Sequence, residues 1–126
     1  MIIGLDDTDS VDGMCTTYIG TLIVEAIRDL DRNLIREPPK LLRLNPNNPY
    51  KTRGNGAVSI RITDNSNPEI LEKIKSISFD IIANYSESGD NANPAIVFLD
   101  DNSITPEIQL FDKRALHEML SIDEAI

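Results

Sequence analysis

Residues 1–10 read M-I-I-G-L-D-D-T-D-S, and this stretch decides the fold. Residues 1–5 are apolar and run directly into a turn that is rich in carboxylates. Such a pattern is typical of a short buried strand that feeds a loop. We therefore predict a first strand over Met1 to Leu5, followed by an acidic loop.

An amphipathic helix is predicted after this loop, from Cys15 to about Leu30. It begins near Gly13, with Cys15 or Thr16 close to its first turn. Apolar residues recur in this segment at steps of three and four, which gives a helix one buried face. They are Tyr18, Ile19, Leu22, Ile23, Ala26, Ile27 and Leu30.

Strand and helix signals alternate along the rest of the chain. Pro38-Pro39 cannot lie inside a helix, so a second strand is predicted just after them. Asn67-Pro68 and Thr105-Pro106 each combine a good N-cap with a proline that suits the first helical turn. The predicted strands are Lys40 to Leu44, Ala57 to Thr63 and Ala95 to Leu99. The predicted helices run from residue 67 to about Ile77, and from residue 106 through Ile108, Phe111, Leu116, Met119 and Leu120.

The order β-α-β-β-α-β-α predicts an α/β (α+β) fold with a mixed sheet of four or more strands and helices packed against it. The length of 126 residues fits a single domain, residues 1–126. No apolar run approaches the ~18 residues of a membrane span, and the opening residues lack the basic segment of a secretory signal. We expect a cytoplasmic protein that does not bind membranes. One cysteine excludes an internal disulfide and argues against a zinc cluster.

The chain is acidic, with a formal net charge of −9 and a pI near 4.4. Nucleic-acid binding usually depends on Lys and Arg side chains that neutralise phosphates and release counterions. This chain alone is therefore expected to bind RNA or DNA weakly, unless a local basic patch outweighs the repulsive field of the whole molecule.

Three carboxylates crowd the loop after the first strand: Asp6, Asp7 and Asp9. They repel one another unless a cation lies among them or they are well hydrated. Mg²⁺ commonly takes one or two carboxylates together with phosphates and water. Hydroxyl and amide groups follow directly and end at a predicted helix N-terminus, whose dipole favours anions. They belong to Thr8, Ser10, Gly13, Thr16 and Thr17.

This pattern predicts a Mg²⁺-nucleotide site that suits phosphoryl transfer, because that reaction is catalysed mostly by positioning and charge stabilisation. The alternative is that Asp9 or Ser10 only caps the following helix and that the other residues form a solvated turn.

A second candidate phosphate site is K-T-R-G-N-G, residues 51–56. Lys51 supplies a point charge and Arg53 a planar fork, and the glycines allow backbone amides to approach a ligand. Asparagines and prolines are dense in residues 45–50, which favours an ordered loop. The alternative is an ordinary solvated turn that enters the next strand.

Four other residues carry weaker signals. For Cys15 two interpretations stay open: a nucleophile with a lowered pKa, and a small buried cysteine. Asp100 and Asp101 either form a simple turn or lie beside the first acidic cluster, if their strands are neighbours. His117 is interpreted as a surface or packing residue, since no metal ligands lie near it in the sequence.

Several motifs, in order along nearly the whole chain, are typical of one family. They are I-G-L-D-D-T-D-S-V-D-G-M-C-T-T-Y at 3–18, R-L-N-P at 43–46, P-Y-K-T-R-G-N-G-A-V-S at 49–59, N-P at 93–94, V-F at 97–98 and I-D-E-A at 122–125. By these motifs the chain resembles the archaeal tRNA-Ile 2-agmatinylcytidine synthetases.

The resemblance implies that ATP activates the C2 oxygen of the wobble cytidine in the isoleucine tRNA anticodon. Agmatine then displaces that oxygen, so that the anticodon reads AUA and not AUG. The implied cofactors are ATP and Mg²⁺, and the implied partners in a full-length protein are agmatine and isoleucine tRNA.

The resemblance also implies that this chain is an atypical kinase domain. Asp6, Asp7 and Asp9 then handle Mg²⁺-ATP, and Thr16 matches a phosphate-accepting threonine. The implied nucleotide-contacting residues are Thr8, Ser10, Gly13, Met14, Cys15, Thr17, Lys51, Thr52, Arg53, Gly54, Asn55 and Gly56.

Members of that family continue past the I-D-E-A motif into a ferredoxin-like domain, an OB-fold and a zinc ribbon, which this sequence does not contain. The chain is therefore expected to be a fragment or a short relative. We expect agmatine capture and tRNA docking to depend on those other domains.

Two other functions stay open on the sequence. D-T-D-S-V at 7–11 fits the D-x-D-x-[TV] signature of haloacid-dehalogenase-like phosphatases, in which the first Asp is a nucleophile and the second a general acid. Asp100 and Asp101 would then supply a metal-binding pair. The third hypothesis is a non-catalytic module that binds a nucleotide or a metal.

Overall fold

The structure, a computed structural model, describes residues 1–10, 12–63, 67–86, 92–100 and 103–125. Within these residues the chain forms four strands and four α-helices. They are β1 (Ile2–Asp6), α1 (Thr16–Leu30), β2 (Lys40–Arg43), β3 (Gly56–Arg61), α2 (Pro68–Tyr85), β4 (Ala95–Leu99), α3 (Pro106–Ala115) and α4 (Ile122–Ala125), with a short 3₁₀ turn at Arg32–Leu34. The α+β class and the predicted order of elements are confirmed, and α4 is an addition.

The four strands form one sheet in the order β2-β3-β1-β4. All three described pairings are antiparallel, for example Ile3 opposite Ile60 and Ile3 opposite Phe98. The prediction of a mixed sheet is therefore wrong for the described strands, although the number of four strands is confirmed. Strands that point the same way are separated by a third strand, since β3 lies between β1 and β2 and β1 lies between β3 and β4.

The hydrophobic core lies between one face of the sheet and the helices α1 and α2. Alternate residues of β1 and β3 point into it, as the period of two predicts for β3. The most buried apolar residues are Ile3, Leu5, Ile19, Ile23, Ile27, Ile60, Ile62 and Ile74. Helix α1 approaches β3 closely at Gly20, where an added Cβ atom would lie 3.1 Å from Val58 Cγ1.

Two predicted helices differ in length from the observed ones. Helix α2 begins as expected, with Asn67 Oδ1 accepting from the Glu69 amide at 3.0 Å, but it continues to Tyr85 and does not stop near Ile77. Its buried residues Ile74, Ser78 and Ile82 keep a spacing of four, so tertiary packing overrides the weaker helix propensity of its second half.

Helix α3 is shorter than predicted. Thr105 caps it, since its hydroxyl accepts from the Ile108 amide at 3.3 Å, but Leu116 is already its C-cap. None of its residues is buried. Within the described ranges, no helix is long and apolar enough to cross a bilayer.

Candidate functional site

Antiparallel pairing brings three chain segments to one edge of the sheet. Strand β1 ends at Asp6, which lies opposite Ala95 at the start of β4. Strand β3 starts at Gly56 at the same edge, because Leu5 pairs with Val58. The acidic loop after β1, the loop before β3 and the residues before β4 therefore meet.

Arg53 joins the acidic loop to the loop of residues 51–56. Its Nε lies 3.4 Å from Asp9 Oδ2 and donates to the Ser10 carbonyl at 3.0 Å. Ser10 and Arg53 are 43 positions apart in the sequence, and this one guanidinium joins the two candidate phosphate sites.

These segments line an open cleft of about 420 Å³. Of the predicted site residues, the cleft contains Asp6, Asp7, Asp9, Cys15, Thr16, Thr17, Lys51, Thr52, Arg53, Gly54, Asn55 and Gly56. Thr8, Ser10, Gly13 and Met14 do not line it. Its charged side chains are three aspartates and three cations, which are Arg43, Lys51 and Arg53.

Each of the three carboxylates has a different protein partner. Asp6 Oδ1 accepts from the Asp7 amide at 2.8 Å, and Asp7 Oδ2 accepts from the Asn93 amide at 2.8 Å. Asp9 pairs with Arg53. Among the described residues, no group of three His, Cys, Asp or Glu side chains is arranged to hold a metal ion, so the three aspartates do not form a cage on their own.

Burial is the main influence on two of these carboxyl groups. It raises the pKa of Asp6 above its ordinary value, against a lowering by the Asp7 amide, and the charges of Asp7 and Asp9 raise it further. Burial also raises the pKa of Asp9, which is only 8% exposed, while its own backbone amide and Arg53 lower it. Burial thus disfavours the charged forms of Asp6 and Asp9, and a cation bound beside them would favour those forms.

The alternative that Asp9 or Ser10 caps the following helix is wrong. The N-cap of α1 is Cys15, and no side chain caps that end through a hydrogen bond. Asp9 is instead tied to Arg53, and the Ser10 hydroxyl accepts from the Asp12 amide at 3.1 Å.

The loop before β3 is ordered by asparagines, as predicted. Asn45 is buried, its Oδ1 accepts from the Asn47 amide at 3.0 Å, and its carbonyl accepts from Asn55 Nδ2 at 2.7 Å. The Asn45 amide donates to the Ala115 carbonyl at 3.2 Å, which ties the loop to the end of α3. The Lys51 ammonium donates to the Pro46 carbonyl.

Left-handed backbone near the cleft is found at residues other than glycine. Asp7 and Met14 have φ of 53°, and Arg53 and Asn55 have φ of 52°. No described glycine has a positive φ, so the left-handed backbone of this loop does not come from Gly54 or Gly56. Residues other than glycine rarely adopt a left-handed backbone, and the backbone strain that it causes is concentrated at functional sites.

Thr8 lies beneath the cleft. Its side chain is fully buried, and its hydroxyl donates to Thr16 Oγ1 at 3.2 Å and lies 3.4 Å from the Met14 carbonyl. The structure thus places Thr8 as a support for Thr16, which does line the cleft, and not as a residue that contacts a ligand directly.

Cys15 has the lowered pKa that its position near a helix start suggested. A hydrogen bond with the Thr17 hydroxyl, at 3.4 Å, is the first cause, and the Tyr18 amide and Arg53 add to it. Burial opposes this lowering.

Alkylation should report this pKa directly, because Cys15 is the only cysteine in the sequence. We expect iodoacetamide to modify the folded chain with a pH midpoint below that of the chain unfolded in urea, since the thiolate is the nucleophile. The variant Thr17→Val should shift the midpoint upward. Mass spectrometry over a pH series measures both, and the same midpoint in the native and Thr17→Val proteins would rule out the hydrogen-bond explanation.

Asp100 does not join the acidic cluster. Antiparallel pairing puts Leu99 opposite Ile2, so Asp100 follows at the edge of the sheet away from Asp6. Of the two alternatives for Asp100, proximity to the acidic cluster is wrong, and Asp101 lies outside the described residues. Asn93, at the start of the same strand, takes the place beside Asp7.

Sequence reasoning missed five residues that line the cleft. They are Leu41, Arg43, Asn48, Tyr50 and Asn93. Leu41 and Arg43 share one side of β2 by the strand period of two, a signal that was available once that strand was predicted. Asn93 could not be found without the pairing of β1 with β4.

Comparison with known proteins gives the family. A family model described as the TiaS TCKD domain matches residues 2–70, more than half of the chain. The chain belongs to the TiaS TCKD domain family. The TiaS relatives include proteins named tRNA(Ile2) 2-agmatinylcytidine synthetase from Pyrococcus horikoshii, Thermococcus sibiricus and Methanocaldococcus jannaschii, which are 48%, 44% and 40% identical to this chain.

Each alignment covers 98% or 99% of this chain, but the chain spans only 28% to 30% of these TiaS relatives. Solved structures agree. The crystal structure of a TiaS–tRNA(Ile2)–ATP complex matches with a TM-score of 0.78 at 37% identity, and that of a TiaS–tRNA(Ile2)–AMPCPP–agmatine complex with 0.76 at 32%. Both cover 98% of this chain, which covers 28% of each of them.

Proposed function

We propose that this chain binds Mg²⁺-ATP and carries out phosphoryl transfer in the modification of the wobble cytidine of isoleucine tRNA with agmatine. One observation carries the proposal: Arg53 contacts Asp9 and the Ser10 carbonyl, and so joins the acidic loop to the loop of residues 51–56 around one cleft. The complexes of the relatives with ATP, tRNA(Ile2) and agmatine support it.

The charge of the cleft supports binding of a metal-bound polyphosphate. The chain as a whole carries a net charge of −9, but the cleft is lined by three aspartates and three cations. Cationic groups that point into a cleft give phosphate a local partner even where the distant field is repulsive. Carboxylates beside them offer the hard oxygen atoms that Mg²⁺ prefers.

Asp7 and Asp9 are the proposed metal ligands, with Asp6 close by. Asp7 contacts the Asn93 amide and Asp9 contacts Arg53 through Oδ2, and each carboxylate has a second oxygen. Mg²⁺ usually retains water and binds one or two carboxylates together with substrate phosphates. The donor set therefore fits an ion that is held jointly with a nucleotide, and that ion would neutralise charge on the phosphates.

Thr16 is the proposed phosphate acceptor. Thr16 lines the cleft, and the buried Thr8 hydroxyl, 3.2 Å from Thr16 Oγ1, holds its side chain in place. In the proposed step, Thr16 Oγ1 forms a bond to phosphorus as a phosphoanhydride bond of the nucleotide breaks, and the hydroxyl proton leaves to a carboxylate or to water. Lys51, Arg53 and the N-terminus of α1 stabilise negative charge on the phosphates.

Agmatine and isoleucine tRNA are proposed as partners of a longer protein that contains this domain. Both related complexes contain tRNA(Ile2) and one of them contains agmatine, but this chain covers only 28% of those proteins. The acidic composition supports weak binding of tRNA by this chain alone.

The phosphatase alternative keeps its D-x-D-x-[TV] signature but loses its additional support. That hypothesis used Asp100 and Asp101 as a metal pair beside Asp7, and Asp100 follows the opposite end of β4. It also left the loop of residues 51–56 without a role, whereas Arg53 of that loop contacts Asp9.

Calorimetry with the isolated chain tests the proposal. We expect saturable binding of ATP that requires Mg²⁺, together with slow ATP hydrolysis. Asp7→Asn should reduce the hydrolysis rate at least about tenfold, because it removes the charge of a proposed metal ligand. The variant should still fold, since asparagine keeps the side-chain shape and tolerates the left-handed backbone of residue 7. The exposed Asp112→Asn on α3 is the matched control and should behave like the native chain. Binding without turnover would favour the non-catalytic module, and absence of binding would contradict the proposal.

A further inference from the structure

Arg43 is the one cation of the cleft that comes from a strand. It ends β2 and pairs with Gly56 of β3, so its backbone is fixed by the sheet. Leu41, two residues earlier on the same side of β2, also lines the cleft. The Arg43 side chain thus projects from a rigid element toward the loop that contains Lys51 and Arg53.

The guanidinium of Arg43 lies directly over Gly54. Its Nη1 donates to the Gly54 carbonyl at 3.5 Å, which is long for a hydrogen bond. A Cβ atom added at Gly54 would lie only 2.4 Å from Nη1. The φ of Gly54 is not positive, so the backbone does not require glycine there, and a larger residue would have to displace the end of the Arg43 side chain.

The other two cations of the cleft have closer contacts within the protein. Arg53 Nε lies between Asp9 Oδ2 and the Ser10 carbonyl, and the Lys51 ammonium donates to the Pro46 carbonyl. A guanidinium carries five donors in a fixed fork, and the contact with Gly54 occupies one of them weakly. Arg43 therefore has most of its donors available on the cleft side.

We infer that the Arg43 guanidinium binds a phosphate group of the nucleotide. Gly54, which has no side chain, leaves room for the guanidinium in this position. This inference rests on the proposed function and adds a ligand contact outside the two loops predicted from sequence. A planar fork suits two parallel hydrogen bonds to phosphate oxygens. The sheet fixes the backbone of Arg43 at the cleft, and the weak contact with Gly54 can be exchanged for a phosphate.

The test uses calorimetric titration of Mg²⁺-ATP, and competition by inorganic tripolyphosphate, which has no base. In Arg43→Ala both affinities should fall about 10- to 100-fold, as expected for the loss of hydrogen bonds to a charged group. Arg43→Lys should recover part of the loss. Lys40→Ala is the control, because it removes a cation from the side of β2 that faces away from Leu41 and Arg43. There Lys40 Nζ lies 3.9 Å from Glu37 Oε2, and its loss should leave both affinities unchanged.

Gly54→Ala provides an independent test. Its added methyl group should displace the guanidinium and weaken Mg²⁺-ATP binding in the native background, but cause little further loss when Arg43 is already alanine. Circular dichroism confirms that each variant is folded.

Native-like titrations in Arg43→Ala, or additive effects of the two substitutions, would overturn the inference while leaving the proposed function intact. Loss of ATP affinity without loss of tripolyphosphate competition would also overturn it, because Arg43 would then act on the base. A native chain that binds neither ligand would contradict the proposed function itself.

Discussion

Asparagine in place of Asp9 should weaken Mg²⁺-ATP binding about 10- to 100-fold without unfolding the chain. Asp9 is the carboxylate that pairs with Arg53, and it is nearly buried, so this substitution removes both a proposed metal ligand and the ion pair between the two loops. The loss of interactions that involve a charged group accounts for the expected size of the effect. Calorimetric titration measures the affinity, and thermal unfolding followed by circular dichroism measures the fold.

Asp80→Asn is the control for this experiment. Asp80 is an exposed aspartate on α2, away from the residues that line the cleft, and the same change of charge there should leave the affinity unchanged. If Asp9→Asn and Asp80→Asn titrated like the native chain, Asp9 would have no part in nucleotide binding.

Ile23→Ala should lower the free energy of unfolding by about 2–5 kcal/mol, the range measured for large-to-small changes in protein cores. Ile23 is fully buried in α1 and belongs to the cluster that packs α1 against the sheet. Domains of this size are stable by only about 5–15 kcal/mol, so the loss is a large share of the total.

Urea denaturation of Ile23→Ala measures this loss, with Glu25→Ala as the control. Glu25 lies on the exposed side of the same helix, and its substitution should change the unfolding free energy by less than about 0.5 kcal/mol. Equal midpoints for Ile23→Ala and the native chain would mean that α1 does not pack as described.

The local features of the fold followed from the sequence because they depend on neighbouring residues. The alternation of Val58, Ile60 and Ile62 located β3, and the Asn-Pro and Thr-Pro pairs located the starts of α2 and α3. The direction of strand pairing could not be predicted in this way, since it depends on how helices return the chain to the sheet. The choice between the two alternatives for Asp100 depended on that direction.

The candidate site was predictable as two separate loops, but not as one cleft. The contact of Arg53 with Asp9 depends on the antiparallel pairing of β1 with β3. The approach of Arg43 to Gly54 was not predictable either, because it depends on the pairing of β2 with β3.

A crystal soaked with Mg²⁺ and a non-hydrolysable ATP analogue tests most directly whether a metal-bound nucleotide occupies the cleft between the two loops. We predict phosphates between Arg43 and Arg53, with the ion bound to phosphate oxygens and to Asp7 or Asp9. A nucleotide bound elsewhere, with the three aspartates in contact with water alone, would contradict this account.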